Sequence, residues 1–328
     1  MGITFLDRAR GCMSGLAIGD ALGRPVEGMS AQKIRENYGS VQDFLLLSPG
    51  GSDDTEYALL TASAILEYGL DITAQQFADF WKEKVCKQTA AFLGAGFSEM
   101  SAIDNLRRGL VPPQSGQHTH AWSDGLAMRV APIGIVSAGN LPLTISMTTA
   151  DGSVSHSGEG IWSGLAVAAA ISVAMNGGSA HESFEGALQS VPQDSWTYRA
   201  LVKVQKIVTE GEGKTTPELV DLLLHDVAVE DYFYADLAPE AVSLALAAVL
   251  YGEGDFVKTL LFAVNLGRDA DTIAAMAGAV GGALVGYEAI PDSWRRAIVS
   301  VKGSCLEFAA GLNPVEIAEQ LVALKESK

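Results

Sequence analysis

Apolar residues recur at spacings of three and four along most of the chain, and residues that start and stop helices punctuate them. Phe5, Ala9, Cys12, Met13 and Leu16 form the first such stripe, with Thr4 as its cap and Asp7 three positions later. That helix is expected to end near residues 19–23. Ser30 opens a short helix that stops at Gly39, and Ser52 begins one that runs through Glu67 and closes at Gly69. Thr73 and Gln76 make a capping box ahead of Phe77, Phe80, Trp81 and Val85, and a further helix is expected over about 95–108. Residues 111–125 read as loop, with two prolines and two histidines. A helical pattern resumes at 126–129 and is bent or restarted by Pro132. The Ala-rich stretch 161–175 reads as a buried helix closed by Gly177 and Gly178, and Ser179 with Glu182 is another capping box. Thr216 before Pro217 and Asn313 before Pro314 each place a cap residue ahead of proline. Asp292 with Arg295 begins a penultimate group, and the last helix reaches about Lys325.

Residues 41–47 fit a short strand but have no evident partner, and nowhere is period-two alternation sustained. The expectation is an all-α protein of a dozen or more helices. No linker, low-complexity tract or fixed repeat divides it, so one domain is expected over residues 1–328.

Composition narrows the function classes. With 48% hydrophobic and 19% charged residues, the chain is rich enough in apolar residues to bury a large core. A formal net charge of -17 argues against a nucleic-acid partner, which requires a basic surface. It also means that an anionic ligand must be drawn in locally, by a metal, a helix N-terminus or a single Arg. Cys12, Cys86 and Cys305 are odd in number and widely separated, which points to a reducing, cytoplasmic setting. Asp7, Arg8 and Arg10 are unlike a signal peptide, and the apolar run 273–287 is too short for a span of roughly 20 residues, so no membrane partner is expected.

Two acidic helix starts carry the chemistry. Ser52, Asp53, Asp54 and Thr55 form one; Asp269, Asp271 and Thr272 form the other, followed by a run of small apolar residues to Gly286. Either alone is an ordinary helix cap, since Ser and Asp suit the first turn and its dipole. Packed together they crowd four carboxylates, and a divalent ion relieves that repulsion. The donors are all oxygens with no Cys/His cluster, which favours Mg²⁺, Mn²⁺ or Ca²⁺ over Zn²⁺.

Five stretches in order resemble the motifs of the ADP-ribosylglycohydrolase family. They are residues 11–27 with the Gly-Asp-Ala-Leu-Gly core, Ser52 to Thr55, residues 126–134, Ser155 with His156, and Asp269 to Thr272 with its Gly/Ala tail. The resemblance implies a compact orthogonal multi-helix bundle with two Mg²⁺ or Mn²⁺ ions in a cleft. It places Ser52, Asp53 and Asp54 on one ion and Asp269 and Thr272 on the other, with Asp271 bridging. Glu27 matches a family acid near the metals and the attacking water, although an ordinary loop carboxylate fits that position too.

The activity implied is metal-dependent hydrolysis of the bond between ADP-ribose and an acceptor, with Glu27, Asp54 and Asp271 as catalytic residues. Such cleavage develops oxocarbenium character at C1, and a metal pair can orient the ribose diol and a water. Trp122, Asp124, His156 and Arg268 are the residues expected to face the substrate. Trp122 equally suits a loop anchor, and His156 a satisfied structural histidine. His118 and His120 read as surface residues, and Arg129 as a buried, paired one. Arg268 stands where the family commonly has glycine, and fits pairing with a carboxylate, meeting a phosphate or narrowing the cleft. Two other functions remain open: hydrolysis of a smaller N-ribosyl metabolite, and a non-catalytic ADP-ribose-binding or structural relative.

Overall fold

The run of small residues behind the second acidic segment is the axis of the fold. The computed structural model describes residues 2–327; Met1 and Lys328, the two ends of the expected domain, lie outside the described residues. In chain order the first helices are α1 (Phe5–Gly23), α2 (Ala31–Tyr38), α3 (Asp53–Tyr68), α4 (Ala74–Lys84), α5 (Phe97–Arg107), α6 (Ala131–Val136), α7 (Leu141–Ser155) and α8 (Glu159–Met175). They are followed by α9 (Ala180–Ser190), α10 (Trp196–Glu210), α11 (Thr216–Val227), α12 (Ala238–Gly252), α13 (Phe256–Asn265), α14 (Ala270–Val285), α15 (Asp292–Ala297) and α16 (Pro314–Glu326). Short 3-10 turns occur between them, including Asp124–Arg129. The described residues contain no β-strand, only isolated bridges between Ser30 and Gly267 and between Ser123 and Leu237. The all-α expectation holds.

Helices α1 and α14 run antiparallel with their backbones in contact. Gly11, Gly15, Gly19 and Gly23 of α1 face Gly282, Gly278, Ala274 and Ala270 of α14, one pair per turn. A Cβ added at any of the four α1 glycines would come within 3.0 Å of a facing backbone carbonyl oxygen. The i, i+4 spacing of small residues therefore sets the separation of the two helices. Because they are antiparallel, the C-terminal turns of α1, with Asp20, lie beside the first turn of α14, with Asp271. Around this pair the apolar faces of α3, α6, α8, α12, α13 and α16 close one continuous buried core.

Most caps are where the sequence places them: Thr4, Ser30, Ser52, Thr73, Ser179 and Asn313 each accept from the first turn of their helix. Two expectations need correction. Residues 41–47 form bends rather than a strand. Val41 is buried, and Asn265 satisfies its backbone from the side, donating to its carbonyl at 3.0 Å and accepting from its N–H at 2.8 Å. With a side chain meeting those groups, no partner strand is required. At α11 the cap is Thr215, not Thr216; Thr216 is the first helical residue, and the capping box pairs Thr215 with Glu218.

Candidate active site

Asp53 and Asp54 open α3, and Asp271 and Thr272 sit in the first turn of α14 directly after its cap, Asp269. The α1 and α14 contact brings these two starts together across most of the sequence. Asp20, Asp54 and Asp271 offer carboxylate oxygens that all lie within 4.8 Å of one another, and Glu27, Asp269 and Asp271 do the same. Asp271 belongs to both groups. Asp54 and Asp271 are 1% and 3% exposed, whereas Glu27 is exposed at the mouth. Asp53, Asp54, Glu27, Asp269, Asp271 and Thr272 line a cleft of about 320 Å³.

Ser52 is buried beside Asp54, donating from Oγ to Asp54 Oδ2 at 2.8 Å. Asp20 lies deeper still. Its carboxylate accepts from the N–H of Ser52 at 2.8 Å and from both the N–H and the hydroxyl of Thr55. With those donors on its oxygens, Asp20 clamps the start of α3 against α1.

Electrostatics makes the cluster costly without a counter-charge. Burial and then Asp20 push Asp53 up to about 8. Burial, Asp20 and Asp271 hold Asp54 well above the usual carboxylate range, and burial followed by Asp269 does the same to Asp271. Asp54 Oδ1 is buried with no hydrogen-bond partner among the described residues, an arrangement that is expensive unless something else meets it. A buried, partnerless carboxylate oxygen in an all-oxygen donor set fits a hard divalent cation.

The four residues expected at the substrate are placed differently from one another. Asp124 lines the cleft. Trp122 lies behind it, tilted against His120 at 4.6 Å and edge-on to Tyr232 at 5.6 Å. His156 is fully enclosed, meeting Ser123 Oγ at 3.1 Å through Nε2 and Ser155 Oγ at 2.8 Å through Nδ1, and burial holds its pKa well below the usual range. It therefore stays neutral and steadies the Ser123 turn rather than reaching the cleft. Arg268 points away, with Nε donating to Glu240 Oε1 at 2.6 Å, so pairing with a carboxylate is the outcome among its three options.

His118 and His120 are corrections: neither is a plain surface residue. His118 Nε2 meets the Ser155 carbonyl at 2.9 Å, and His120 Nε2 meets Asp236 Oδ2 at 2.8 Å within an aromatic cluster. Arg129 is fully buried as expected, meeting Glu99 and Asp151 at 3.2 Å each and lying 5.0 Å from the Trp81 ring.

Several cleft residues were missed in the sequence: Phe97, Glu99, Tyr234 and Asp236. They come from α5 and from the segment between α11 and α12, where local pattern carries no sign of a shared wall. Asp20 had a signal, the single charged residue in the second half of α1, within the first motif.

Comparison with known proteins supplies a second line of information. The ADP-ribosylglycohydrolase family model matches residues 1–326. A functionally uncharacterised protein of Archaeoglobus fulgidus is 36% identical over 297 residues, 88% of this chain and 90% of that one. The ADP-ribosylarginine hydrolase Tri1 of Serratia proteamaculans is 27% identical over 301 residues, 88% of this chain and 74% of its own. Among solved structures, a chain described as an ADP-ribosylglycohydrolase-related protein complex superposes with a TM-score of 0.67 at 24% identity, covering 98% of each.

Proposed function

Because the chain belongs to the ADP-ribosylglycohydrolase family, we propose that it hydrolyses the glycosidic bond between C1 of ADP-ribose and an acceptor, either a protein side chain or a small molecule. The observation that carries this reading is the meeting of two acidic helix starts from opposite ends of the chain in one cleft. The whole chain then acts as a single domain, since neither half holds the site alone.

Two divalent ions, Mg²⁺ or Mn²⁺, suit the donor set. Ser52, Asp53 and Asp54 would hold one, Asp269 and Thr272 the other, and Asp271 would be shared. Such ions supply Lewis-acid orientation of a sugar diol and a water of lowered pKa. The chain's own residues do the rest. Asp20 and Ser52 fix the rotamers at the start of α3. Glu27 stands at the mouth within reach of Asp269 and Asp271, placed to take a proton from the water or give one to the departing acceptor. Asp124 faces the substrate, while Trp122, His156 and Arg268 hold the surrounding wall. A cytoplasmic location agrees with the three free cysteines, and no helix among the described residues is long and apolar enough to cross a membrane.

A second reading, cleavage of a smaller N-ribosyl compound, draws support from the absence of any Lys or Arg among the described residues that line the cleft. A turnover screen separates the two: ADP-ribosyl-arginine, ADP-ribosyl-serine, O-acetyl-ADP-ribose and simple N-ribosides, each with Mg²⁺, with Mn²⁺ and with chelator. Turnover of at least one ADP-ribosyl compound, lost on chelation, is expected. Glu27→Gln is expected to lower it about 100-fold with metal binding intact. Full turnover by Glu27→Gln removes Glu27 from the chemistry, and metal binding without any turnover leaves a binding module.

A further inference from the structure

Glu27 is exposed at the mouth of the cleft, so the loop that carries it fixes where its carboxylate stands. That loop is paired with the segment ahead of α14. The Gly28 N–H donates to the Arg268 carbonyl at 2.8 Å, and the Arg268 N–H donates to the Met29 carbonyl at 2.8 Å. Ser30 and Gly267 form a bridge beside them. Gly267 and Arg268 both take left-handed backbone, with φ 67° and 61°. At Gly267 an added Cβ would strike the Met29 carbonyl oxygen, so glycine is required there. At residue 268 glycine would adopt the same angle more readily than arginine, and the strain of an arginine is held by what its side chain meets.

Those contacts lie on another wall of the mouth. The arm at 228–237, between α11 and α12, supplies Tyr234 and Asp236 to the cleft. Arg268 Nη2 donates to the Val229 and Tyr232 carbonyls of this arm at 3.0 and 3.4 Å. Its Nε donates to Glu240 Oε1 at 2.6 Å, and the buried Glu240 also accepts from the Val229 N–H at 2.7 Å. A planar fork of donors lets one side chain meet a carboxylate and two carbonyls at once. Glu27 and Tyr234 border both the cleft and an outer hollow of about 830 Å³, so they flank the opening between the two.

We propose that Arg268 is a positioning residue: it brackets the Glu27 loop and the arm together, and through that bracket it sets where Glu27 stands during turnover. The proposal rests on the reading of Glu27 as the group that handles the proton. The Arg268 backbone grips the Glu27 loop, and its side chain grips the arm. Loss of the side chain frees the arm and lets the paired loop shift. Displacing a group that acts at the reacting atoms lowers turnover while leaving substrate binding in place.

Two variants cut the bracket from opposite ends. Arg268→Gly removes the fork, and Glu240→Gln removes its anchor while leaving residue 268 unaltered. The substrate is the fastest of ADP-ribosyl-arginine, ADP-ribosyl-serine, O-acetyl-ADP-ribose and the simple N-ribosides. Each variant is expected to lower kcat about tenfold and to change KM less than about twofold. In a Glu27→Gln background the same changes are expected to lower kcat less than about twofold, because Arg268 acts through Glu27. Hydrogen exchange in the Mg²⁺-loaded protein is expected to speed up about tenfold in peptides spanning 26–30 and 228–237, with the Mg²⁺-dependent thermal shift retained. Unchanged kcat in both variants overturns the proposal, and so does an undiminished effect in the Glu27→Gln background. An effect of Arg268→Gly without one of Glu240→Gln assigns it to the backbone at 268 and overturns the bracket. A fall in kcat that tracks a lost Mg²⁺ shift overturns it too, by placing the effect at Asp269. Exchange is read without turnover. Faster exchange at 26–30 in a protein that hydrolyses none of the compounds would sink the functional reading alone, and unchanged exchange there in an active protein would sink the bracket alone.

Discussion

At the scale of the residue, the cleft carboxylates make a testable link between protons and metal. Their pKa values are raised in the folded state, so the native protein keeps protons that the unfolded chain releases near pH 4. Between roughly pH 4 and 8 the unfolded chain binds fewer protons than the native state, and stability falls as pH rises. Without metal, the unfolding midpoint is expected to be higher near pH 5.5 than near pH 8, and saturating Mg²⁺ is expected to flatten that slope; scanning calorimetry with and without chelator measures it. A midpoint that rises with pH in chelator would contradict the assignment. Arg129 makes a different prediction. Replaced by Met, it leaves Glu99 and Asp151 buried without a cation, and a loss of about 3–5 kcal/mol is expected in denaturant titration. Arg268 shows why a single position resists reading. Its backbone has φ 61°, a left-handed conformation that costs about 1–2 kcal/mol outside glycine. The ion pair with buried Glu240 helps to offset that cost.

At the scale of the element, the antiparallel contact of α1 and α14 decides whether the site exists. A side chain at Gly15 would run into the carbonyl of Gly278, which is backbone and cannot rotate aside. Gly15→Val therefore forces the helices apart, and a destabilisation of about 3 kcal/mol or more is expected. The same shift carries Asp20 away from the α3 start and Asp271 away from Asp54, so the Mg²⁺-dependent rise in midpoint should shrink together with stability. Gly177→Ala, at a left-handed glycine just beyond α8 with nothing within 4 Å of an added Cβ, serves as a control: its loss should leave the metal response intact.

At the scale of the molecule, long-range polar ties set how the elements are arranged around the cleft. Glu56, two residues beyond Asp54 on α3, accepts from the N–H groups of Ser304, Cys305 and Leu306 at 2.8, 2.9 and 2.7 Å. It fastens the helix that carries the site to the segment ahead of α16. Glu56→Gln turns one acceptor into a donor facing N–H groups, and a loss of about 1–3 kcal/mol is expected by denaturant titration, with metal affinity retained. The sequence by itself determined the helices, most of their caps, the all-α class and the two acidic starts. Those features are local, written in spacing and in the few residues that satisfy a helix end. It also marked the small-residue run of α14, because close packing leaves a composition signal, whereas the facing glycines of α1 became evident only in the packed pair. What only the tertiary structure decided is which side chains share a wall. Asp20 clamps where it looked like the end of a helix; His156 and Trp122 brace the cleft from behind; Arg268 turns to Glu240; and Phe97, Tyr234 and Asp236 arrive from segments with no common pattern. Direction and company depend on how helices far apart in sequence cross, and no local spacing encodes that crossing.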